Sequence, residues 1–323
     1  MRVVSSKMAL LVVGAATAVA CSSADPGEAP DDMAAGGAPD LHVILDASRY
    51  FDLPSRPLDH LRLVTGNLTS GNNQSYEQPG VDIFRGLGAD VAMVQELNVG
   101  GNSTGELRAF VDAAFGTEYT FTRAQVPGQI PNGIVSRYPI VAAGEWADAQ
   151  VSDRDFVWAQ IDIPGPIDLY AISVHLLSSS AGARDAEAGE LVQKIQTLPI
   201  DAYVVLGGDF NTSTRSEPCV QTLSSVLATG GPYPVDQAGV DNTSTNRNKP
   251  YDWVLANARL EEKAAPVEIG ANVFDYGFVA DTRVYSPISD LAPALATDSG
   301  ASNMQHMAVV RDFGLPPPPP FQD

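Results

Sequence analysis

Several polar side chains that could bind a metal ion or a phosphate follow apolar, strand-like runs of the sequence. They are Asn67, Glu96, His175, Asp209 with Asn211, Asp252 and His306. A carboxylate suits a hard cation such as Mg²⁺, which uses few protein carboxylates. An amide donates a hydrogen bond to a phosphate oxygen without adding charge, and a histidine protonates a leaving oxygen or stabilises negative charge. If the strand ends converge on one rim of a sheet, these groups form a single pocket.

The apolar patterns predict the elements that position these side chains. Strands are predicted at Leu61–Val64, Asp90–Val94, Ile134–Val141, Phe156–Ile163, Ile167–Leu176, Tyr203–Leu206, Asp252–Leu255 and Met307–Phe313. Helices are predicted at Val81–Leu87, Gly105–Phe115, Ala183–Leu198 and Cys219–Leu227. Consecutive central strands joined by tight turns indicate antiparallel pairing, whereas strands and helices alternate at both ends. The mixture predicts an α/β domain of two packed sheets with helices outside.

Seven short motifs occur in one order along the chain. They are Leu63–Ser70, Val94–Glu96, Ser136–Ile140, Ser173–Leu176, Gly207–Thr212, Tyr251–Leu255 and Gln305–Val310. In this order they resemble the endonuclease/exonuclease/phosphatase family, which has the deoxyribonuclease-I-like fold. The resemblance extends from about Leu61 to Phe313 and implies a four-layered α/β sandwich, with two packed mixed β-sheets flanked by helices.

The resemblance also implies a divalent cation, with Mg²⁺ expected and Mn²⁺ or Ca²⁺ as alternatives. Glu96 would hold the ion with Asn67 beside it. One position departs from the family pattern: Gln305 stands before His306, where the family usually has an aspartate able to reach the metal. Because glutamine is neutral and a poorer Mg²⁺ ligand, one charge is lost from the expected metal cluster.

The remaining motif residues are implied to carry the catalytic chemistry. Asp209 would orient or deprotonate the attacking water, and Asn211 would bind the scissile phosphate. His175 would contact that phosphate or the leaving group. His306, held by Asp252, would stabilise the transition state of an in-line displacement.

The resemblance therefore implies a metal-dependent phosphodiesterase. An extracytoplasmic endonuclease is the first expectation, and a lipid phosphodiesterase or phosphatase of the same fold is the alternative. Arg137, Arg247 and Lys249 are the candidate contacts to substrate phosphate. Gln305 also leaves open a non-catalytic binding module. The expected partners are a phosphodiester substrate and a membrane reached through a lipid anchor, and the protein is expected to be a monomer.

A second reading of the sequence gives a different enzyme class. Gly101–Gly105 fits the G-x-S-x-G motif with Ser103 at its centre, and Asp252 and His306 follow in the order of an α/β-hydrolase triad. That motif requires an apolar strand running directly into its first glycine. Here polar residues intervene, and antiparallel central strands do not fit a hydrolase sheet. The serine esterase is therefore the weaker alternative.

The N-terminal residues resemble a bacterial export signal. Arg2 and Lys7 precede an apolar stretch that is too short to span a bilayer permanently. Ala18–Cys21 resembles a lipobox, which predicts lipidation of Cys21; an ordinary cleaved signal is the alternative. We expect a signal peptide at residues 1–20, a lipid-anchored flexible linker at 21–40, the folded domain at 41–314 and a Pro-rich tail at 315–323. The expected location is the cell envelope, or the medium if the protein is secreted.

Composition excludes other classes. Of 323 residues, 19 are Lys or Arg and 39 are Asp or Glu, which gives a formal charge of −20. Such an acidic chain is not a basic DNA-coating protein. Hydrophobic residues make up 44% of the chain, enough for a large core, and two cysteines cannot build a disulfide framework.

Overall fold

The structure is a computed structural model, and it describes residues 60–125 and 130–315. The predicted signal peptide, Cys21, the linker and most of the Pro-rich tail lie outside the described residues. Among the described residues, no helix has both the length and the apolar character needed to cross a membrane.

The described residues form strands and helices that alternate at both ends of the chain. The strands are β1 His60–Gly66, β2 Val91–Val94, β3 Thr120–Arg123, β4 Gly133–Ser136, β5 Ile140–Trp146, β6 Phe156–Ile161, β7 Leu169–His175, β8 Tyr203–Asp209, β9 Asp252–Ala256, β10 Ala264–Ala265, β11 Val267–Ile269, β12 Asn272–Phe274, β13 Phe278–Ala280 and β14 Ala308–Gly314. The helices are α1 Gln78–Leu87, α2 Thr104–Ala114, α3 Ala181–Ile195, α4 Pro218–Leu223 and α5 Ala258–Glu261.

These strands make two mixed sheets and a hairpin. The first sheet has the order β10-β14-β1-β2-β4-β3, with β13 also paired to β14. The second has the order β5-β6-β7-β8-β9, and β11 pairs with β12. In each large sheet one central pair is parallel, β1 with β2 and β7 with β8, while the other pairs are antiparallel.

Side-chain alternation along the strands builds three apolar layers. Between the sheets, Leu63 and Met93 of the first sheet belong to one buried cluster with Val205 of the second. The outer face of the first sheet packs against α1 and α2. The outer face of the second sheet packs against α3 and α4. The order helix, sheet, sheet, helix confirms the predicted four-layered sandwich.

Local sequence signals explain where helices begin and end. Ser103 and Glu106 form a capping box at the start of α2: the Glu106 backbone N–H donates to the Ser103 hydroxyl, and the Glu106 carboxylate accepts from the Ser103 N–H. Gly88 ends α1 with φ of 58°, a left-handed conformation that glycine adopts without a Cβ penalty.

Two of the predicted elements were wrong in extent. The run Ile134–Val141 is not one strand: β4 lies in the first sheet and β5 in the second. Tyr138 and Pro139 separate them, and proline cannot donate to a ladder. The predicted helix Cys219–Leu227 ends as α4 at Leu223, so it is shorter than the pattern suggested.

Candidate active site

The functional side chains expected from the sequence meet at one rim of the two sheets. Strands β1 and β2 run parallel and end there, as do β7 and β8. Strands β9 and β14 run antiparallel to their neighbours and therefore begin there. The residues brought together are Asn67, Glu96, His175, Asp209, Asn211, Asp252 and His306. All except the half-buried Asn211 are buried.

His306 lies between two carboxylates. Its Nδ1 is 3.0 Å from Oδ2 of Asp252, and its Nε2 is 3.4 Å from Oδ2 of Asp209. Burial alone would lower the pKa of His306, but the carboxylates of Asp209 and Asp252 outweigh it and raise the pKa to about 10. The imidazole is therefore a buried cation at neutral pH.

His175 has the opposite character although it contacts the same aspartate. Its Nε2 is 3.3 Å from Oδ2 of Asp209, and its Nδ1 is 3.8 Å from Oε1 of Glu96. Burial holds the pKa of His175 well below its ordinary value, and Arg154 and His306 lower it further. The site therefore pairs one charged with one neutral imidazole. Nδ1 of His175 is buried and has no hydrogen-bond partner among the described residues.

Asp209 is the central carboxylate of the cluster. Burial raises the pKa of Asp209 to about 7, and repulsion from Asp252 and Glu96 opposes the attraction of His306. Its Oδ1 accepts the Asn211 backbone N–H at 2.8 Å. Gly208, the residue before it, cannot be replaced by a residue with a Cβ, because that atom would overlap the carbonyl oxygen of Val174 on β7. Gly208 thus allows β7 and β8 to approach closely, whereas Gly207 makes room for Met93 and Thr65 of the first sheet.

Glu96 is oriented by donors that the sequence did not reveal. Its two carboxylate oxygens accept hydrogen bonds from Thr69 Oγ1 at 2.9 Å and Gln74 Nε2 at 3.0 Å. Burial raises the pKa of Glu96, whereas hydrogen bonds from Asn67 and Thr69 lower it. Thr69 and Gln74 both belong to the loop after β1: Thr69 lies within the motif Leu63–Ser70 but carries no assigned role, and Gln74 lies outside every motif.

The amide residues are also fixed in place. Asn67 Nδ2 donates to Asp209 Oδ2 at 3.4 Å, and its Oδ1 accepts from Thr69 at 3.3 Å. Asn211 Nδ2 donates to the Leu176 carbonyl at 3.0 Å, which ties it to the residue after His175. Asn67 therefore links Asp209 to Thr69. Asn211 links Asp209 to the residue that follows His175.

The three basic residues expected to contact substrate differ in position. Arg137 is not at the rim: it pairs with Asp90 at the opposite end of β2 from Glu96. The guanidinium of Arg247 is bound by Asp236 and Asp281, so its charge is already compensated. Lys249 lies near the site, since its Nζ is 5.6 Å from the Tyr251 ring, which is 5.3 Å from the His306 ring.

Arg154 is a basic residue of the site that the sequence analysis missed. It is 7% exposed and precedes β6. It is close enough to lower the pKa of both His175 and Glu96 by its positive charge. Its ion pair with Asp153 involves a carboxylate that is 44% exposed. The run Asp153–Asp155 of alternating charge resembles an ordinary turn, so nothing in the local sequence marks Arg154.

The other residues considered from the sequence do not join the cluster. Ser103 is exposed, and its hydroxyl donates to Glu106 at 2.6 Å within the α2 cap. It is therefore a capping residue without the hydrogen bond to His306 that a triad needs. Gln305 is exposed, and its carbonyl accepts from the Thr245 N–H at 2.7 Å.

The donor set fits a hard divalent cation. Ligand atoms of Asp209, Asp252 and His306 lie within 4.8 Å of one another, and Glu96 joins the same electrostatic network. Burial raises the pKa of both Asp209 and Glu96, and repulsion from Asp252 and Glu96 adds to the increase at Asp209. A divalent cation would relieve that repulsion, and oxygen donors of this kind suit Mg²⁺, Mn²⁺ or Ca²⁺.

Comparison with known proteins agrees with this geometry. The sequence profile of the family described as Endonuclease/Exonuclease/phosphatase family matches residues 81–290 of the 323. No protein of curated function matches the chain.

Solved structures share the fold at low sequence identity. An endonuclease/exonuclease/phosphatase from Bacteroides vulgatus is 17% identical with a TM-score of 0.56, covering 80% of this chain and 99% of that one. D. rerio TDP2 complexed with single strand DNA product is 15% identical with a TM-score of 0.52, covering 79% and 99%. The mannosyl-6-phosphatase Bt3783 of Bacteroides thetaiotaomicron is 13% identical with a TM-score of 0.52, covering 78% and 98%.

Proposed function

The chain belongs to the endonuclease/exonuclease/phosphatase family, whose members hydrolyse phosphoester bonds, and we propose that it is a divalent-metal-dependent phosphodiesterase. The observation that carries the proposal is the arrangement of three ionisable groups. Asp209 lies 3.3 Å from the neutral His175 and 3.4 Å from the charged His306. Asp252 contacts the other nitrogen of His306. In this arrangement Asp209 can accept a proton while His306 holds a positive charge beside it.

The proton transfers are assigned to the central pair. Asp209 accepts a proton from the water that attacks phosphorus, because a carboxyl group with a pKa of about 7 is half ionised at neutral pH. His306, charged below about pH 10, stabilises the negative charge that develops on the phosphoryl oxygens. Asp252 keeps the imidazole oriented through Nδ1 and leaves Nε2 facing the substrate side.

Phosphate binding is assigned to the neutral and basic groups around that pair. Nδ1 of His175 is buried, has no hydrogen-bond partner within residues 60–125 and 130–315, and is suited to a hydrogen bond with a phosphate or leaving-group oxygen. Asn211 lies next to Asp209 and presents an amide without adding charge. Arg154 supplies a positive charge on the Glu96 and His175 side. Lys249 supplies one near Tyr251, whose ring packs against His306.

We assign the cation to Glu96 with Asn67, not to the group formed by Asp209, Asp252 and His306. His306 belongs to that group, and its raised pKa keeps the imidazole protonated at neutral pH, so it cannot act as a metal ligand. When bound, the cation polarises a phosphoryl oxygen and lowers the pKa of water. Thr69 and Gln74 hold the Glu96 carboxylate in a fixed orientation for that purpose.

Nucleic acid is the substrate we propose first. D. rerio TDP2, which shares the fold, is complexed with single strand DNA product. A second candidate is a small phosphate ester, and one observation favours it: Arg137 faces away from the site and Arg247 is neutralised by two aspartates. With few free cations at the rim, binding depends on one phosphate rather than on a long polyanion.

A substrate panel with Mg²⁺, Mn²⁺ and Ca²⁺ tests the proposal. The panel contains DNA, RNA, sphingomyelin, a phosphoinositide and a sugar monophosphate. We expect hydrolysis of DNA or RNA that EDTA abolishes. Hydrolysis of the sugar phosphate alone would support the second candidate, and lipid hydrolysis would identify a lipid phosphodiesterase. No turnover on any substrate would overturn the enzyme proposal and favour a binding module.

We also propose that the protein works as a monomer outside the cytoplasm, held by lipid on Cys21. The support is the sequence pattern Ala18–Cys21 after an export-like N-terminus. Metabolic labelling with a fatty acid should mark the wild type and leave the Cys21→Ser variant unlabelled. Equal labelling, or none in either protein, would contradict the lipoprotein assignment.

A further inference from the structure

Two buried carboxyl groups meet behind the active site. Glu187 of α3 has no exposed surface, and Asp148, in the segment between β5 and β6, is 5% exposed. Ala149, the residue after Asp148, donates its N–H to Glu190, which lies one helical turn after Glu187 on α3. The carboxyl group of Asp148 is thereby placed against that of Glu187 and raises its pKa. Two ionised carboxylates only accept hydrogen bonds, so this contact requires one proton on the pair.

Backbone N–H groups bind both oxygens of Glu187 and Oδ1 of Asp148. Both oxygens of Glu187 accept the Leu177 backbone N–H, at 3.0 and 3.1 Å. Oδ1 of Asp148 accepts the Gln150 N–H at 2.8 Å. Without the shared proton, Oδ2 of Asp148 is buried and has no hydrogen-bond partner among the described residues.

The charged groups that face the pair come from three segments. Glu190 on α3 and Asp155 before β6 add negative charge: Glu190 accepts the Ala149 N–H, and Asp155 accepts the Asp148 N–H. Arg154 is the opposing cation. The pKa of Glu187 is raised to about 8. Burial is the largest cause, Asp148 adds to the increase, and Arg154 opposes it.

The pair connects two sides of the active site. Leu177, held by Glu187, follows His175 by two residues. Arg184 of the same helix donates to the carbonyl of Leu177. Side chains of α3 therefore bind both the N–H and the C=O of Leu177. On the other side, Asp148 begins the segment that leads to Arg154, whose charge lowers the pKa of both His175 and Glu96. A separation of the two carboxyl groups would loosen both connections.

We propose that Asp148 and Glu187 share one proton and act as positioning residues, holding the segment 148–154 against α3 so that Arg154 faces the substrate phosphate. The functional part of this proposal rests on the proposed phosphoesterase activity. Loss of the shared proton places two negative charges in contact in a buried site, which releases the segment. Alkaline pH then weakens substrate binding through Arg154, and the comparison with Glu187→Gln separates this effect from the titration of Asp209, which both proteins share.

The effect on stability has a defined sign. A carboxyl group whose pKa is raised on folding contributes stability that is fully present below its unfolded pKa, near 4.5, and is lost as pH rises through about 8. Replacing Glu187 by glutamine keeps a donor for Asp148 and removes the titration. The wild type should therefore lose stability between about pH 4.5 and 8 in a way that the Glu187→Gln variant does not.

Thermal unfolding of the full chain across this pH range tests the pair independently of catalysis. The matched control is Glu118→Gln, which removes the same charge from an exposed carboxylate after α2. We expect the control to follow the wild type and Glu187→Gln to show a flatter decline. Parallel declines of wild type and Glu187→Gln would overturn the shared proton. If Glu187→Gln does not fold, Asp148→Asn makes the same comparison from the other partner.

Steady-state kinetics on bis(p-nitrophenyl) phosphate then test the positioning role. Between pH 7 and 9 we expect KM of the wild type to rise about tenfold, as expected for loss of one charged phosphate contact, with a smaller change in kcat. KM of Glu187→Gln should stay nearly constant. Identical KM profiles would overturn the positioning role. Absence of turnover in every protein, with the stability difference intact, would instead count against the proposed function.

Discussion

At the residue scale, the site depends on backbone conformations that side chains seldom adopt. Glu96 has φ of 50° and Asn211 has φ of 52°, and each follows the end of a strand. Left-handed conformations are unfavourable for a residue with a Cβ and persist where the surroundings enforce them. Both positions turn a polar side chain into the rim. The strain therefore coincides with the residues assigned to the cation and the phosphate.

The two histidines should titrate very differently in the metal-free protein. NMR of the imidazole Cε1–H groups should show His306 still protonated at pH 8.5 and losing its proton near pH 10, because Asp209 and Asp252 flank it. His175 should remain neutral down to its ordinary pKa and below, because it is buried. Assignment by His175→Gln separates the signals. Ordinary titration of His306 near pH 6.5 would contradict the buried ion pair.

Gln305 offers a test by charge addition. The substitution Gln305→Asp adds a negative charge next to His306, which should tighten Mg²⁺ binding or raise the rate through Coulomb attraction. A Mg²⁺ titration of hydrolysis measures the effect. The contradicting outcome is an unchanged half-saturating Mg²⁺ concentration. That outcome would show that the side chain at this position does not face the ion.

At the element scale, parallel pairing explains why residues far apart in sequence meet. Asn67 and Glu96 follow β1 and β2, which are parallel neighbours. His175 and Asp209 are the last residues of β7 and β8, which are also parallel neighbours. The sequence alone indicated that several strands end in polar residues. The family resemblance carried by the order of the motifs predicted that these strand ends meet in one site. These seven residues could be predicted because their motifs directly flank strongly apolar strands.

Other parts of the molecule carried no comparable local signal. Strands β10 to β13 have two or three residues each, too few for a period to be visible. Arg154, Thr69 and Gln74 reach the site from turns and loops, where side-chain direction depends on the tertiary structure. Arg137 was misplaced because Ser136 ends a strand that runs antiparallel to β2, which puts Arg137 at the far edge.

The cap of α2 gives a prediction at the same scale. Ser103→Ala removes the side-chain oxygen that accepts the Glu106 N–H, and should lower the free energy of unfolding by about 1 kcal/mol. Chemical denaturation measures this loss. Phosphoester hydrolysis should be unchanged, since Ser103 caps a helix. Loss of activity in a folded Ser103→Ala protein would revive the serine esterase reading.

At the scale of the whole molecule, a bound cation should stabilise the fold. A ligand that binds only the folded state at about 100 times its Kd adds roughly 2.7 kcal/mol to the free energy of unfolding. For a domain of this size that corresponds to a Tm increase of several degrees. Mg²⁺ should therefore raise the Tm of the wild type, and EDTA should reverse the increase.

Glu96→Gln should lose most of this Mg²⁺ response, whereas the exposed-site variant Glu118→Gln should keep it. An equal Tm increase in wild type and Glu96→Gln would place the cation elsewhere in the acidic chain. A response lost in Asp252→Asn but kept in Glu96→Gln would favour the group formed by Asp209, Asp252 and His306.

The most direct test of the account is the rate of bis(p-nitrophenyl) phosphate hydrolysis with Mg²⁺, compared between wild type, His306→Ala and Ser103→Ala. We predict that EDTA abolishes the wild-type rate, that His306→Ala lowers it by about 10²- to 10⁴-fold, and that Ser103→Ala leaves it unchanged. Undiminished hydrolysis by a folded His306→Ala protein, or by wild type in EDTA, would contradict the assignment of this rim as a metal-dependent phosphoesterase site.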